Sequence, residues 1–194
     1  MTYLVNLVDC TDSLANEYKT AVSRTLTIWY SQADSRCVDT RKCPSVSWVT
    51  LIKQTPSIVI YVVQNYEHRI LPRMQGFDNS VDNSKNQGLT WIETTTYKHP
   101  PRKEYHLTAS ELYLNMIPNS DDLAMCAFHE SMHNQLRMGD EMHTDATVGG
   151  GIAVSPLKSG TTPNDANIRA FGAAMSQARP QWTAGYAASR KSPG

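Results

Sequence analysis

Ser120-Asp121-Asp122-Leu123-Ala124-Met125-Cys126-Ala127-Phe128-His129-Glu130-Ser131-Met132-His133 is the stretch around which the rest of the chain can be organised. Small and acidic side chains followed by an apolar run make a helix start, because short polar groups cap the free N–H groups and acids suit the positive end of the dipole. At about 100° per residue, Met125, Phe128, Met132 and Leu136 share one stripe, and His129 and His133 lie along its edge. Two imidazoles at i and i+4 stand one turn apart and can close on one metal ion. Glu130, next to the first of them, can reach a water on that ion as general base. Without a metal, the same helix would carry two hydrogen-bonded histidines at the border of a core, and Glu130 would be a surface charge.

A catalytic zinc takes three protein ligands and keeps a fourth position for water, so the downstream residues matter. They read Asn134-Gln135-Leu136-Arg137-Met138-Gly139-Asp140-Glu141-Met142-His143-Thr144-Asp145. Gly139 tolerates positive φ and is expected to end the helix near residue 138, which makes His143 the natural third ligand. Asp145, Asp140 and Glu141 are oxygen alternatives in the same stretch.

The pair of histidines with the intervening glutamate is the HExxH pattern of zinc-dependent hydrolases, and the chain resembles the metzincin clan of zinc peptidases. That clan carries HExxHxxGxxH; here Leu136 stands at its glycine position and the spacing becomes HExxHxxxxxGxxxH. The insertion adds close to one helical turn, about 5 Å. The resemblance makes Met175, in Gly172-Ala173-Ala174-Met175-Ser176, the candidate for a methionine turn under the metal, with a core methionine on a helix as the alternative. It also makes Tyr186 the candidate for stabilising the oxyanion. Gluzincins need a later glutamate, and none follows Glu141; the aspzincin pattern is similar only through Asp145 ahead of Gly149, Gly150 and Gly151.

Composition agrees with a single catalytic domain spanning 1–194. The 18 basic and 18 acidic residues cancel, so the charge balance gives no reason to expect a nucleic-acid or membrane partner. No apolar run is long enough to span a bilayer. Residues 1–8 lack a basic start and are broken by Asn6, so they read as a strand and not a signal peptide. The expectation that follows is a cytoplasmic protein, or one released without a signal, acting as a monomer. Of the four cysteines, Cys37 and Cys43 flank a short polar segment across which a disulfide is conceivable, Cys126 reads as a buried small hydrophobe, and Cys10 ends a strand.

Strands are expected at 3–8, 45–52, 57–63, 88–97 and 109–116, and a helix opens at Asp12 and Ser13 with Leu14, Tyr18, Val22, Leu26 and Trp29 on one face. Residues 72–88 and 149–163 read as loops, the first a polar flap that resembles a calcium loop but lacks its glycine and final glutamate. His68, His99 and His106 read as surface or strand histidines. A strand, a helix, further strands and then the motif helix is the upper-lobe layout of the resembled clan. The fold it implies is α+β and zincin-like with two lobes. A mixed sheet and the active-site helix lie above a cleft (about 1–138), and a small irregular or helical lobe lies below it (about 139–194).

The function so implied is that of a zinc-dependent endopeptidase. Zinc-bound water attacks a peptide bond, Glu130 is the base, His129, His133 and His143 hold Zn2+, and the partner is a peptide or protein substrate. An extended substrate is expected to pair with the strand at 109–116. The competing expectation is a non-catalytic, zinc-stabilised binding module, in which the metal is closed off by a fourth ligand.

Overall fold

The computed structural model describes residues 3–34, 45–52, 56–71, 85–97, 103–175 and 181–183. The element order is β1 (Leu4–Asp9), α1 (Asn16–Asp34), β2 (Ser45–Trp48), β3 (Ile58–Val63), β4 (Gly88–Tyr97), β5 (Lys103–Tyr113), α2 (Ser120–Leu136) and α3 (Asp165–Met175), with short 3-10 turns between. The five strands form one mixed sheet in the order β2-β1-β3-β5-β4. β1, β2, β3 and β5 pair in parallel, and β4 runs antiparallel on the outer edge of β5.

β3 explains why the sheet sits at the centre. Its six residues, IVIYVV, are all buried, as a parallel strand covered on both faces requires. Ile58, Ile60 and Val62 face the helices with Val5, Leu7 and Leu112. Val59 and Tyr61 face the other side with Val8, Leu71, Trp91 and Ala109. On the helical side Tyr30 of α1, Phe128 of α2 and Phe171 of α3 stack within 5.2–5.3 Å of one another. Residues beyond α2, including Met142, Ile152, Ile168 and Phe171, therefore share one core with β1, β3 and α1.

α1 begins four residues later than Asp12, which instead turns the chain with φ 54°, and Tyr30 takes a fully buried place where Trp29 was expected. The strand expected at 45–52 is shorter, Ser45–Trp48, and the one expected at 109–116 is longer, Lys103–Tyr113, ending in a 3-10 turn at Leu114–Met116. β5 is also an interior strand, so the expectation that a substrate pairs with it at 109–116 fails: from Ser110 onward β3 lies on one of its edges and β4 on the other. Among the described residues, no further strand pairs with the outer edge of β4, which also packs against α2. α2 is not an amphipathic surface helix either, since every residue from Asp122 to Gln135 is buried between the sheet, α1, α3 and the 3-10 turn at Gly151–Ala153. Among the described residues no helix is long and apolar enough to cross a membrane.

Candidate metal centre

α2 starts one residue earlier than its first acids suggest. Asn119 is the N-cap, accepting the Asp122 N–H at 2.9 Å and returning its own amide to the Asp122 carboxylate at 2.9 Å. The helix then carries His129, Glu130 and His133 through the middle of the molecule. It ends at Arg137, which adopts the left-handed conformation (φ 57°, ψ 40°) and donates its N–H to the His133 carbonyl. Gly139 does not supply the positive φ expected of it; its φ is −81°. The early stop lets the chain fold straight into a 3-10 turn, Asp140–His143, pinned by the fully buried Met142.

That turn delivers His143 to the pair on the helix. His133 Nε2 lies 3.1 Å from His129 Nε2 and 3.2 Å from His143 Nε2, and the three imidazoles offer ligand atoms all within 4.8 Å of one another. Nitrogens held about 2.0 to 2.1 Å from one tetrahedral ion stand roughly 3.3 Å apart. The spacing is that of a metal-binding triad. His129 and His133 are buried, whereas His143 is only partly covered.

The outer nitrogens decide the protonation. His129 Nδ1 is 2.6 Å from the Ile152 carbonyl, and His133 Nδ1 is 2.7 Å from the Met138 carbonyl. A carbonyl only accepts, so both Nδ1 atoms carry the hydrogen and both Nε2 atoms present bare lone pairs. These two lone pairs face each other at 3.1 Å with no proton between them. Protonation is no remedy: burial, with His133 and His143 nearby, pushes His129 down to about 3 against the help of the Ile152 carbonyl. His133 is lowered by burial in spite of its bonds to Met138 and Gly139 and the nearby acids. His143 is lowered first by burial and then by His133. Three imidazoles gathered in this way, two of them with bare lone pairs, could hold a metal ion.

Glu130 is not a surface charge. It is buried against β4, where the Thr90 hydroxyl donates to Oε2 at 2.7 Å. Burial pushes its carboxyl up to about 8, against the Thr90 bond, with Glu111 adding to the rise. Glu111 is itself raised by burial, though Tyr113 and the N–H groups of Ile70 and Leu71 all donate to it.

The oxygen alternatives do not join the triad. Asp145 is folded back on the Thr147 N–H and hydroxyl at 2.7 Å each, and Glu141 accepts the Gly139 N–H. Asp140 and Glu141 are exposed. Met175 is the last residue of α3 and is buried in the main core, a core methionine on a helix. Tyr186, His99, the Cys37 and Cys43 pair and residues 72–84 of the polar loop lie outside the described residues. His68 is exposed and contacts Asn65; Cys126 is buried, and the Cys10 thiol donates to the Val8 carbonyl at 3.7 Å.

The groups behind the three imidazoles are not legible from the motif's spacing. Asn167, fully buried, accepts the Ile152 N–H at 3.1 Å and donates to the carbonyls of Val148 and Gly150. It thereby presents the Ile152 carbonyl to His129. Gly151 makes room for this, with φ +51° and an added Cβ only 2.5 Å from Asn167 Oδ1. A signal was present: Asn164 and Asn167 exchange side-chain bonds to each other's N–H at 2.9 Å, a reciprocal cap at α3, and the sequence Asn164-Asp165-Ala166-Asn167 spells it.

No protein-family model, no curated protein and no solved structure matches the chain.

Proposed function

We propose that this chain is a metal-dependent peptidase of zincin type, metzincin-like, with Zn2+ held by His129, His133 and His143 and with Glu130 as general base. The observation that carries the reading is the meeting of two bare, buried Nε2 lone pairs at 3.1 Å beside a third imidazole. Three nitrogen ligands are the donor set of a catalytic zinc, and the metal when bound would polarise a carbonyl and make water acidic. Glu130, pushed up to about 8, exchanges its proton near neutral pH, which suits a group that takes a proton from water and returns it to a departing amine. The order of strand, helix, strands and motif helix supports the upper-lobe comparison. The outer edge of β4, the strand that holds Glu130, offers main-chain groups to an extended peptide.

The test begins with metal-free protein titrated with zinc, where one equivalent should bind tightly and His143→Ala should weaken binding far more than Asp145→Ala. Glu130→Gln should keep the zinc and cut cleavage of a quenched-fluorescence peptide library by roughly 10²-fold to 10⁴-fold. Undiminished cleavage by that variant would sink the mechanism. A zinc-loaded wild type that cleaves nothing in the library would favour a metal-stabilised binding module.

A further inference from the structure

Glu130 is held from the sheet as well as from its own helix. Thr90 of β4 sets its hydroxyl 2.7 Å from Glu130 Oε2 and 3.0 Å from the Glu130 main-chain oxygen, while Ser110 of β5 lies 2.8 Å from that hydroxyl and 3.4 Å from the same main-chain oxygen. A threonine hydroxyl has one hydrogen, and an ionised carboxylate makes the strongest claim on it. Ser110 then donates to Thr90, and the order Ser110, Thr90, Glu130 runs as one chain of donors. On the other side Oε1 lies against Gly88: a Cβ built there would stand 2.8 Å from Oε1 and 2.7 Å from Leu112 Cδ2. The carboxyl is clamped between a hydroxyl and a bare stretch of strand.

We infer that Thr90 is a positioning residue, whose hydroxyl aims the Glu130 carboxylate from β4. This deepens the hydrolytic reading and rests on it for its kinetic consequence. Thr90→Val keeps the shape and β propensity of the side chain and removes the hydroxyl; Thr90→Ser keeps the hydroxyl.

The experiment compares both zinc-loaded variants on the peptide that the wild type cleaves fastest from a quenched-fluorescence library. Valine should lower kcat by about 10-fold to 100-fold with KM and zinc affinity little changed, and serine should restore most of it. In the Glu130→Gln background valine should cost nothing further, since the group it aims is gone. Independently of activity, the infrared difference between wild type and Glu130→Gln isolates the Glu130 carboxyl band, which should shift in Thr90→Val and stay in Thr90→Ser. An unmoved band, or an equal kinetic loss in the Glu130→Gln background, overturns the inference. A shifted band in a protein that cleaves no peptide supports the positioning and discards the hydrolytic reading instead. If valine does not fold, Thr90→Ala makes the same comparison.

Discussion

Glu130 and His129 sit side by side on α2 and respond to burial in opposite senses, which gives the metal-free protein a distinctive dependence on pH. Glu130 titrates near 4.5 in the unfolded chain and about 8 in the fold, so the folded state holds a proton that the unfolded state gives up as pH rises through that window. Its contribution is favourable below about 4.5 and is lost by about 8. His129 does the reverse: the unfolded imidazole takes up a proton below about 6.5, the folded one only near 3, so stability is lost as pH falls. Glu130→Gln abolishes the first effect and leaves the second. In urea unfolding of metal-free protein, the glutamine variant should gain on wild type between pH 5 and pH 8 by on the order of 1 to 3 kcal/mol. A gap that stays constant or narrows with rising pH would mean that Glu130 is not buried in the fold as described. At this scale the sequence was readable where spacing carries the chemistry, since a period of 3.6 places His129 and His133 together wherever the helix goes. The burial of Glu130 was not readable, because it depends on Thr90 and Gly88, about 40 residues upstream.

The ends of elements were harder to read than the elements. Gly139 looked like the stop for α2 because glycine tolerates positive φ, yet Arg137 takes that conformation at a cost of roughly 1 to 2 kcal/mol. Tertiary contacts outweigh the local preference: stopping at Leu136 puts the Met138 carbonyl on His133 Nδ1 and seats Met142 in the core. The 3-10 turn at Gly151–Ala153 is decided in the same way by Asn167 on α3, which holds three main-chain groups of residues 148–152. Asn167→Ala should release the Ile152 carbonyl from His129 Nδ1 and lower zinc affinity about 10-fold to 100-fold, as loss of a group that orients a ligand does. Competition with a chelator of known affinity measures it, and circular dichroism confirms that the variant is folded. Unchanged affinity would show that the loop keeps its shape without Asn167.

Across the whole molecule, the presence of five strands and the motif helix was legible in hydrophobic patterning, but the order of the strands was not. Patterning marks which residues are buried and is silent about which strand lies beside which. Hence β5 was expected at a rim and lies inside. The placement of Gln181 is the longest-range case. The β3 and β5 ladder begins at Ile60 and Ser110, and just before it the two strands leave room into which the chain inserts Gln181. Its side-chain oxygen accepts the Val59 N–H at 3.3 Å and the Asn134 amide at 3.2 Å, and its nitrogen donates to Thr108 Oγ1 at 2.8 Å and to Asn134 Oδ1 at 3.1 Å. Trp182 donates its N–H to the Thr108 carbonyl and packs its ring edge-on at 6.0 Å from Trp91 and 6.1 Å from Tyr61 on the opposite face. Gln181 therefore ties β3, β5 and α2 together one residue from His133, and removing its amide would leave several buried polar groups unpaired at about 1 to 3 kcal/mol each. With partial relaxation, Gln181→Ala should lower Tm by roughly 5 to 10 °C in a domain of this size. Zinc stoichiometry at saturation should be preserved, because the hydrogen bonds of the Gln181 amide go to Val59, Thr108 and Asn134. Calorimetry with and without zinc reads both quantities; a Tm within about 1 °C of wild type would mean that the network adds nothing to the closure of the sheet, and loss of zinc from folded protein would mean that it orients His133 as well.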